Sequence, residues 1–216
     1  MLVVALLASP AFPQPSDEEL REMWRVGNLA AMEEVARTGD ERAQAWMGLM
    51  MQNRRRPAEA LTWYELAAEQ GNTFAIMNLA FMHRRGLGTV EDHAEAARWY
   101  RRAADLGNAY GQTSLAEALL QGDGVAKDEP EAARWYRAAV AQREQYAYLP
   151  LARLYAEGIG VERDLVEAHA LATAAQAALD SSESSEDEAI SLQRSLESEM
   201  TGEQIDAAKR RAAELF

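Results

Sequence analysis

Few side chains in this sequence are of the types that carry out metal, acid–base or nucleophilic chemistry. The 216 residues include no cysteine and three histidines, His83, His93 and His169. No two histidines stand four residues apart and no His-Glu-x-x-His run occurs, so the spacing that brings imidazoles onto one metal ion is missing. Carboxylates are abundant, but a solvated helix surface explains them better than a general acid/base pair. We therefore predict no catalytic residue, no metal site and no cofactor.

Two short glycine turns are the next candidates, because glycine-rich loops can cradle a phosphate. Gly86-Leu87-Gly88 and Gly122-Asp123-Gly124 are not followed by the Gly-Lys-Ser/Thr of a P-loop, and neither follows a predicted strand. The sequence also lacks the Gly-x-Ser-x-Gly and Ser-x-x-Lys patterns of serine hydrolases. An enzyme is therefore the weaker interpretation, and a hydrolase acting on envelope material stays as an alternative.

A second set of residue types is typical of binding surfaces rather than of catalysis. Aromatic residues, methionine and arginine are enriched at the energetic centres of protein interfaces. They recur on one side of predicted helices, at positions where we expect exposed side chains. The candidate partner-binding residues are Phe74, Met77, Phe81, Arg84, Tyr110, Thr113, Glu117, Tyr146, Leu149 and Arg153. The alternative is that neighbouring helices cover these side chains.

The elements that position these residues follow from an internal repeat. Trp-Tyr pairs begin at Trp63, Trp99 and Trp135, at intervals of 36 residues. The glycine turns keep the same interval, as in Gly86, Gly122 and Gly158. Self-similarity at such a period is typical of stacked helical repeats, in which each unit buries its apolar face against its neighbours.

Helix signals place two helices in each repeat. In the second repeat, apolar spacing predicts a helix from about residue 73 to 85 and another from about 93 to 106. Gly86 and Gly88 end the first helix, and Asp92 is the predicted N-cap of the second. Asp128 has the same role one repeat later. Alanine and glycine at facing positions allow close helix approach, and we expect the Trp-Tyr pairs to lie in the core.

The ends of the chain differ from the repeats. Ser16 with Glu19, and Thr201 with Gln204, have the spacing of capping boxes and predict helices near both ends. The segment from Asp180 to Glu188 is rich in serine and acidic residues, and we expect a linker or extended turn there. We divide the chain into a tail at 1–15, N-terminal cap helices at 16–39, four repeats at 40–180, and an acidic linker with C-terminal capping helices at 181–216.

Charge and composition restrict the partners. The formal net charge is −13 at pH 7, which opposes a nucleic-acid role because phosphate binding requires a basic surface. The same charge favours protein or peptide partners with basic patches. Beyond the first residues no apolar run is long enough to span a membrane. We expect a monomer, with end-to-end self-stacking as a structural alternative.

The first eleven residues form a short apolar stretch followed by small residues and Pro13 and Pro15. This resembles the later part of a secretory signal that lacks its basic leading region, and the tail at 1–15 is therefore either a truncated signal peptide or a disordered extension. We expect a periplasmic or secreted protein, with a cytoplasmic location as the alternative.

The repeat resembles the Sel1-like repeat family, which belongs to the tetratricopeptide superfamily. The resemblance covers about residues 40 to 180. In the second repeat it is carried by Ala75, Leu79, Gly86, Gly88, Asp92, Trp99, Tyr100, Ala103, Ala104 and Gly107. His83 and Leu119 depart from it, because they stand where Tyr155 has the family's tyrosine. Pro150 lies within a predicted helix and is expected to delay or kink its start.

The resemblance implies an all-α, right-handed α-solenoid of stacked helix-turn-helix repeats with helical caps. It also implies an adaptor that takes part in protein complexes, often in the bacterial envelope, and whose first helices line a concave groove. The primary hypothesis is therefore a non-enzymatic scaffold that binds a peptide or protein in that groove.

Overall fold

The fold is known from a computed structural model, which describes residues 15–178 and 183–215. Within those residues it contains twelve α-helices and no β-strand. The predicted all-α fold of consecutive helical hairpins is confirmed. The chain forms two compact units. The first holds the described residues up to Met82 together with Gly86–Val90, and the second holds His83–Arg85 and the described residues from Glu91 onward.

Most helices have 13 residues, and the hairpins follow one another without long loops. The helices that begin in the first unit are α1 (Asp17–Arg25), α2 (Leu29–Arg37), α3 (Glu41–Asn53), α4 (Pro57–Glu69) and α5 (Thr73–Arg85). Those of the second unit are α6 (His93–Asp105), α7 (Ala109–Gln121), α8 (Glu129–Ala141), α9 (Gln145–Glu157), α10 (Leu165–Ala178), α11 (Glu183–Glu197) and α12 (Gly202–Glu214).

Side-chain caps set most of the helix starts. Ser16 and Thr201 form the predicted capping boxes with Glu19 and Gln204. Asp92 and Asp128 accept hydrogen bonds from backbone N–H groups three residues on, as predicted. These bonds satisfy N–H groups that have no partner inside the helix.

The second glycine of each turn lies against the start of an earlier helix. A Cβ on Gly124 would overlap the backbone of His93 and Ala94, at the start of α6. A Cβ on Gly88 would meet the backbone of Pro57 in the same way, and each glycine follows its contact by 31 residues. The turn therefore excludes a side chain at this position in every repeat that has it.

Glycine and alanine also allow close packing between neighbouring helices. A Cβ on Gly48 would lie 2.5 Å from the Tyr64 ring, within the α3–α4 hairpin. A Cβ on Gly111 would lie 2.5 Å from the Cβ of Ala103, between α7 and α6. The predicted function of small residues at facing helix positions is confirmed at both places.

Only the tyrosine of each Trp-Tyr pair is buried in the core. Tyr64, Tyr100 and Tyr136 are buried, and burial raises the pKa of each phenol. The tryptophan before each tyrosine is only partly buried. The prediction that both rings are core was wrong for tryptophan, because adjacent helix positions point about 100° apart and only one of two faces the neighbouring helix.

Two predictions about helix starts also need correction. The acidic segment expected to be a linker up to Glu188 belongs in part to α11, which begins at Glu183, while residues 179–182 lie outside the described part of the chain. Carboxylates are stabilised near a helix N-terminus, so an acidic sequence is compatible with this start. Helix α9 begins at Gln145 with Pro150 inside it, and the expected delay does not occur.

No helix in the described residues is long and apolar enough to cross a membrane.

Candidate functional site

The second unit contains a groove of about 870 Å³ along α7 and α9, each of which is the first helix of its hairpin. We call it the A-helix groove. Arg84 of α5 and Glu188 of α11 complete its walls. Its lining residues are Arg84, Tyr110, Thr113, Ser114, Glu117, Leu120, Gln121, Tyr136, Tyr146, Leu149, Pro150, Arg153, Leu154, Glu157, Ile159 and Glu188.

Seven of the ten residues singled out from the sequence line this groove. They are Arg84, Tyr110, Thr113, Glu117, Tyr146, Leu149 and Arg153. The other three belong to the first unit. There Phe74 and Phe81 are each 48% exposed and Met77 is partly buried. Whether any of the ten binds a partner stays a prediction.

Two of these residues are less exposed than the sequence suggested. Thr113 and Leu149 occupy equivalent repeat positions and are buried, at 8% and 9% exposure. The Thr113 hydroxyl donates to the backbone oxygen of Ala109 and so is satisfied within its own helix. Both residues lie three positions after the exposed tyrosines. At about 100° per residue, their side chains point about 60° away from the tyrosines, towards the neighbouring helices. They form the floor of the groove rather than its rim.

The groove also contains residues that the sequence reasoning missed. Leu120 and Gln121 lie three and four positions after Glu117, and Leu154 and Glu157 continue the same face of α9. Helical spacing from the aromatic positions could have found them. Glu188 comes from the helix that was expected to begin later, and no repeat spacing predicts it.

Exposed aromatic rings recur at one repeat position. Phe74, Tyr110 and Tyr146 follow each other at 36-residue intervals. Their exposed fractions are 48%, 54% and 55%. Phe74 packs edge-on against Tyr64 in the first unit, with ring centroids 6.2 Å apart. Core packing does not explain why these rings are exposed. Large aromatic rings that are exposed at a regular spacing are typical of contact surfaces.

Several charged side chains of the groove are engaged by neighbouring residues. Arg153 forms an ion pair of 2.8 Å with Glu188, and Arg84 is held by the hydroxyl of Tyr100, which raises the pKa of the guanidinium. Glu117 accepts a hydrogen bond of 3.2 Å from Gln121. Its negative charge adds to the burial that raises the pKa of Tyr136. Three glutamates and two arginines line the groove, so its charge is slightly negative.

The three histidines lie on three different helices, α5, α6 and α10. His93 lies between two carboxylates, 2.7 Å from Glu91 and 2.5 Å from Asp123. The hydrogen bond to Glu91, aided by the charge of Asp123, raises the pKa of its imidazole. His169 is buried in α10, and its Nε2 is 3.1 Å from a carboxylate oxygen of Glu197. Within the described residues no group of three or more potential ligands is arranged to hold a metal ion.

Comparison with known families identifies the repeat. The sequence pattern of the Sel1 repeat matches four consecutive segments, residues 41–72, 73–108, 109–143 and 145–175. Together these segments make up more than half of the chain. A search of curated proteins gives no match.

Solved structures with the same fold include proteins of three bacteria. A Sel1 repeat protein from Oxalobacter formigenes is 34% identical, with a TM-score of 0.64 over 71% of this chain and 46% of its own. The c5321 protective antigen of uropathogenic Escherichia coli strains, described as displaying an SLR fold, is 26% identical, with a TM-score of 0.56 over 91% and 52%. A Klebsiella pneumoniae chain, 20% identical with a TM-score of 0.51 over 85% and 99%, shows the fold alone. This chain spans about half the length of the first two.

Proposed function

The chain belongs to the Sel1 repeat family, whose members are generally protein-interaction scaffolds, and from that premise we propose that its A-helix groove binds a peptide segment of a protein partner. The segment lies along α7 and α9 and packs apolar side chains against Tyr110 and Tyr146. Because the groove is already formed by rigid helices, little conformational entropy is lost from the protein on binding. The scaffold holds its partner without chemical change.

The observation that carries this proposal is the pair of exposed tyrosines over an apolar floor. Tyr110 and Tyr146 are each more than half exposed, while Leu149 and Leu154 beneath them are buried. Aromatic rings around a partly desolvated floor are the arrangement that concentrates binding energy in protein interfaces. The excess of glutamate in the groove, within a chain of net charge −13, favours a segment that carries a basic residue.

Affinity capture from the source cell, followed by mass spectrometry, identifies the partner, and titration of a peptide from it tests the groove. We expect the double substitution Tyr110→Ala with Tyr146→Ala to weaken binding by about tenfold or more, as for the loss of two aromatic contacts. Leu106→Ala is the matched control, since Leu106 is 52% exposed and does not line the groove. Equal affinity of the double variant and the control would contradict the proposal.

An exported location belongs to the same proposal. The apolar residues at the start of the chain, followed by small residues and prolines, support it. N-terminal sequencing of protein from fractionated cells tests it. We expect the extracytoplasmic fraction to contain a chain that begins after the apolar stretch, and a cytoplasmic chain that begins at Met1 would contradict this expectation.

A further inference from the structure

The second unit contains another cavity, of about 420 Å³, which shares no lining residue with the A-helix groove. Helices α8, α9, α10 and α12 form its walls. We call it the arginine pocket, after three of its residues. Its lining residues are Arg137, Val140, Ala141, Arg143, Leu151, Tyr155, Glu167, Leu171, Arg211, Glu214 and Leu215.

Both carboxylates of the pocket are already engaged by one arginine. The guanidinium of Arg211 binds Glu167 through two nitrogens, at 2.8 and 3.1 Å. A third contact of 3.0 Å joins it to Glu214. Among the described residues, neither of the remaining cations, Arg137 and Arg143, forms an ion pair with either of these carboxylates.

Arg137 is held in place without losing its capacity to bind an anion. Its Nε donates a hydrogen bond of 2.9 Å to the hydroxyl of Tyr155, and its Cζ lies 5.4 Å from the centroid of the same ring. Its terminal nitrogens donate to no other described residue. A guanidinium that is fixed at Nε and free at its terminal nitrogens can receive a carboxylate in a two-point contact.

Arg143 occupies a backbone conformation that favours glycine. Its φ is +61°, and the equivalent positions of the two preceding repeats are Gly71 and Gly107, with φ of +88° and +82°. A side chain in this region is strained, and such strain often accompanies a functional requirement for the side chain. The guanidinium of Arg143 forms no hydrogen bond or ion pair with any described residue, although its charge partly offsets the effect of burial on the pKa of Tyr148.

The floor of the pocket is apolar. Val140, Leu151 and Leu171 are all buried there. Two available guanidinium groups beside buried aliphatic side chains are complementary to a carboxylate with an aliphatic neighbour. We propose that the arginine pocket binds an acidic segment of a protein partner, with a glutamate or aspartate side chain on Arg137 and Arg143 and an aliphatic side chain on the floor. This inference does not depend on the function of the A-helix groove.

The negative charge of the whole chain does not prevent this contact. At physiological ionic strength interactions between exposed charges are largely screened beyond about 8 Å, so the two nearby arginines dominate. An acidic segment is therefore attracted by the pocket but not steered to it from a distance. We expect slow association and moderate affinity.

The test uses the full chain and a fluorescein-labelled peptide, Gly-Leu-Glu-Leu-Glu-Gly, with an amidated C-terminus. Fluorescence anisotropy measures its dissociation constant. We expect Arg143→Gly to weaken binding by about tenfold, because one charge-assisted contact is lost. The variant should retain the fold, because glycine occupies the equivalent position in the two preceding repeats. Arg55→Gly is the matched control, since Arg55 is the other described non-glycine residue with positive φ, at +58°, and lies in the first unit.

Each outcome decides the proposal. Two results together support the proposal. Arg143→Gly weakens binding while Arg55→Gly does not, and replacement of glutamate by glutamine in the peptide abolishes binding. Equal binding by both variants and the native chain overturns it, as does an equal loss in both variants, which would indicate attraction to any arginine. Binding only to the peptide with a free C-terminal carboxylate overturns the assignment to acidic side chains.

Discussion

At the scale of single residues, the two glycines of each repeat turn have different functions. Gly122 and Gly124 both have positive φ, at +72° and +71°. A Cβ on Gly122 would meet nothing closer than 3.7 Å, whereas one on Gly124 would overlap the backbone of His93. The first glycine therefore provides only a conformation, and the second provides both a conformation and space for another helix.

Alanine substitutions separate these two functions. We expect Gly122→Ala to lower the free energy of unfolding by about 1 kcal/mol, the cost of a left-handed alanine. Gly124→Ala adds an overlap with rigid backbone and should cost about 3 kcal/mol or more. Urea denaturation followed by circular dichroism measures both. Similar losses in the two variants would show that the start of α6 shifts easily away from the turn.

An ion pair between consecutive repeats makes stability depend on pH. Arg101 of α6 lies 2.6 Å from Glu131 of α8, and Glu131 also accepts a hydrogen bond from the indole of Trp135. The bond from Arg101 holds the pKa of Glu131 below its ordinary value of 4.5. A carboxylate whose pKa is lower in the folded chain than in the unfolded chain stabilises the fold at pH values above its unfolded pKa. This stabilisation is lost as the pH falls through the folded pKa.

Glu131→Gln removes the charge and keeps an acceptor for Trp135. Because the Arg101 side chain is 39% exposed, we expect a loss of only about 0.5–1 kcal/mol at pH 7. The difference from the native chain should shrink below pH 4.5 and vanish once Glu131 is protonated in both states. Thermal unfolding at pH 7 and pH 3 tests this, and a difference of equal size at both values would contradict the electrostatic explanation.

The sequence predicts residue functions well where the backbone alone decides them. The N-caps Asp92 and Asp128 follow from local chemistry, and the turn glycines follow from the repeat. It fails where burial depends on a neighbouring helix. Trp99 and Tyr100 are both large aromatic residues at adjacent positions, and only the direction of the facing helix decides that the tyrosine is the buried one.

At the scale of elements, the C-terminal helix α12 packs against α10 with small residues and a polar edge. Ala208 and Ala212 of α12 are buried, with 0% and 4% exposure. At the edge, Arg211 binds Glu167 of α10 through two nitrogens. The two kinds of contact differ in value, because tight apolar packing tolerates no extra volume, whereas an ion pair near the surface is screened by water.

Two substitutions in α12 compare these contacts. Ala208→Leu adds three carbon atoms to a fully buried position and should cost about 1–3 kcal/mol. Arg211→Gln removes the ion pair from a side chain that is 40% exposed and should cost less than about 1 kcal/mol. Chemical denaturation of both variants gives the two values. The reverse order would mean that the ion pair, rather than close packing, holds α12 in place.

The candidate site shows what repeat alignment can predict at this scale. The 36-residue interval places Phe74, Tyr110 and Tyr146 at one helix position, and all three are exposed. Alignment cannot predict Glu188, because α11 lies outside the repeats and its position depends on tertiary packing. It also cannot predict the depth of the groove at Thr113 and Leu149, which is set by the distance between neighbouring helices.

At the scale of the whole molecule, we expect the net charge to oppose association between two copies of the chain. Repeat proteins need polar end surfaces, because an unpaired repeat face stacks on another copy. This chain has a formal net charge of −13 at pH 7 and a pI near 4.7. Like charges of that size oppose contact between two copies at neutral pH and lose this effect as the pH approaches the pI.

We therefore expect a monomer at pH 7 and association near pH 4.7. Multi-angle light scattering at pH 7 should give the mass of one chain, 23.9 kDa for residues 1–216, over a wide range of protein concentration. In low salt near pH 4.7 the mass should rise, because the repulsion is then absent. High salt at pH 7 is the control, since it screens the same repulsion without protonating any carboxylate. A mass that grows with concentration at pH 7 in low salt would instead favour a structural component that stacks on its own copies.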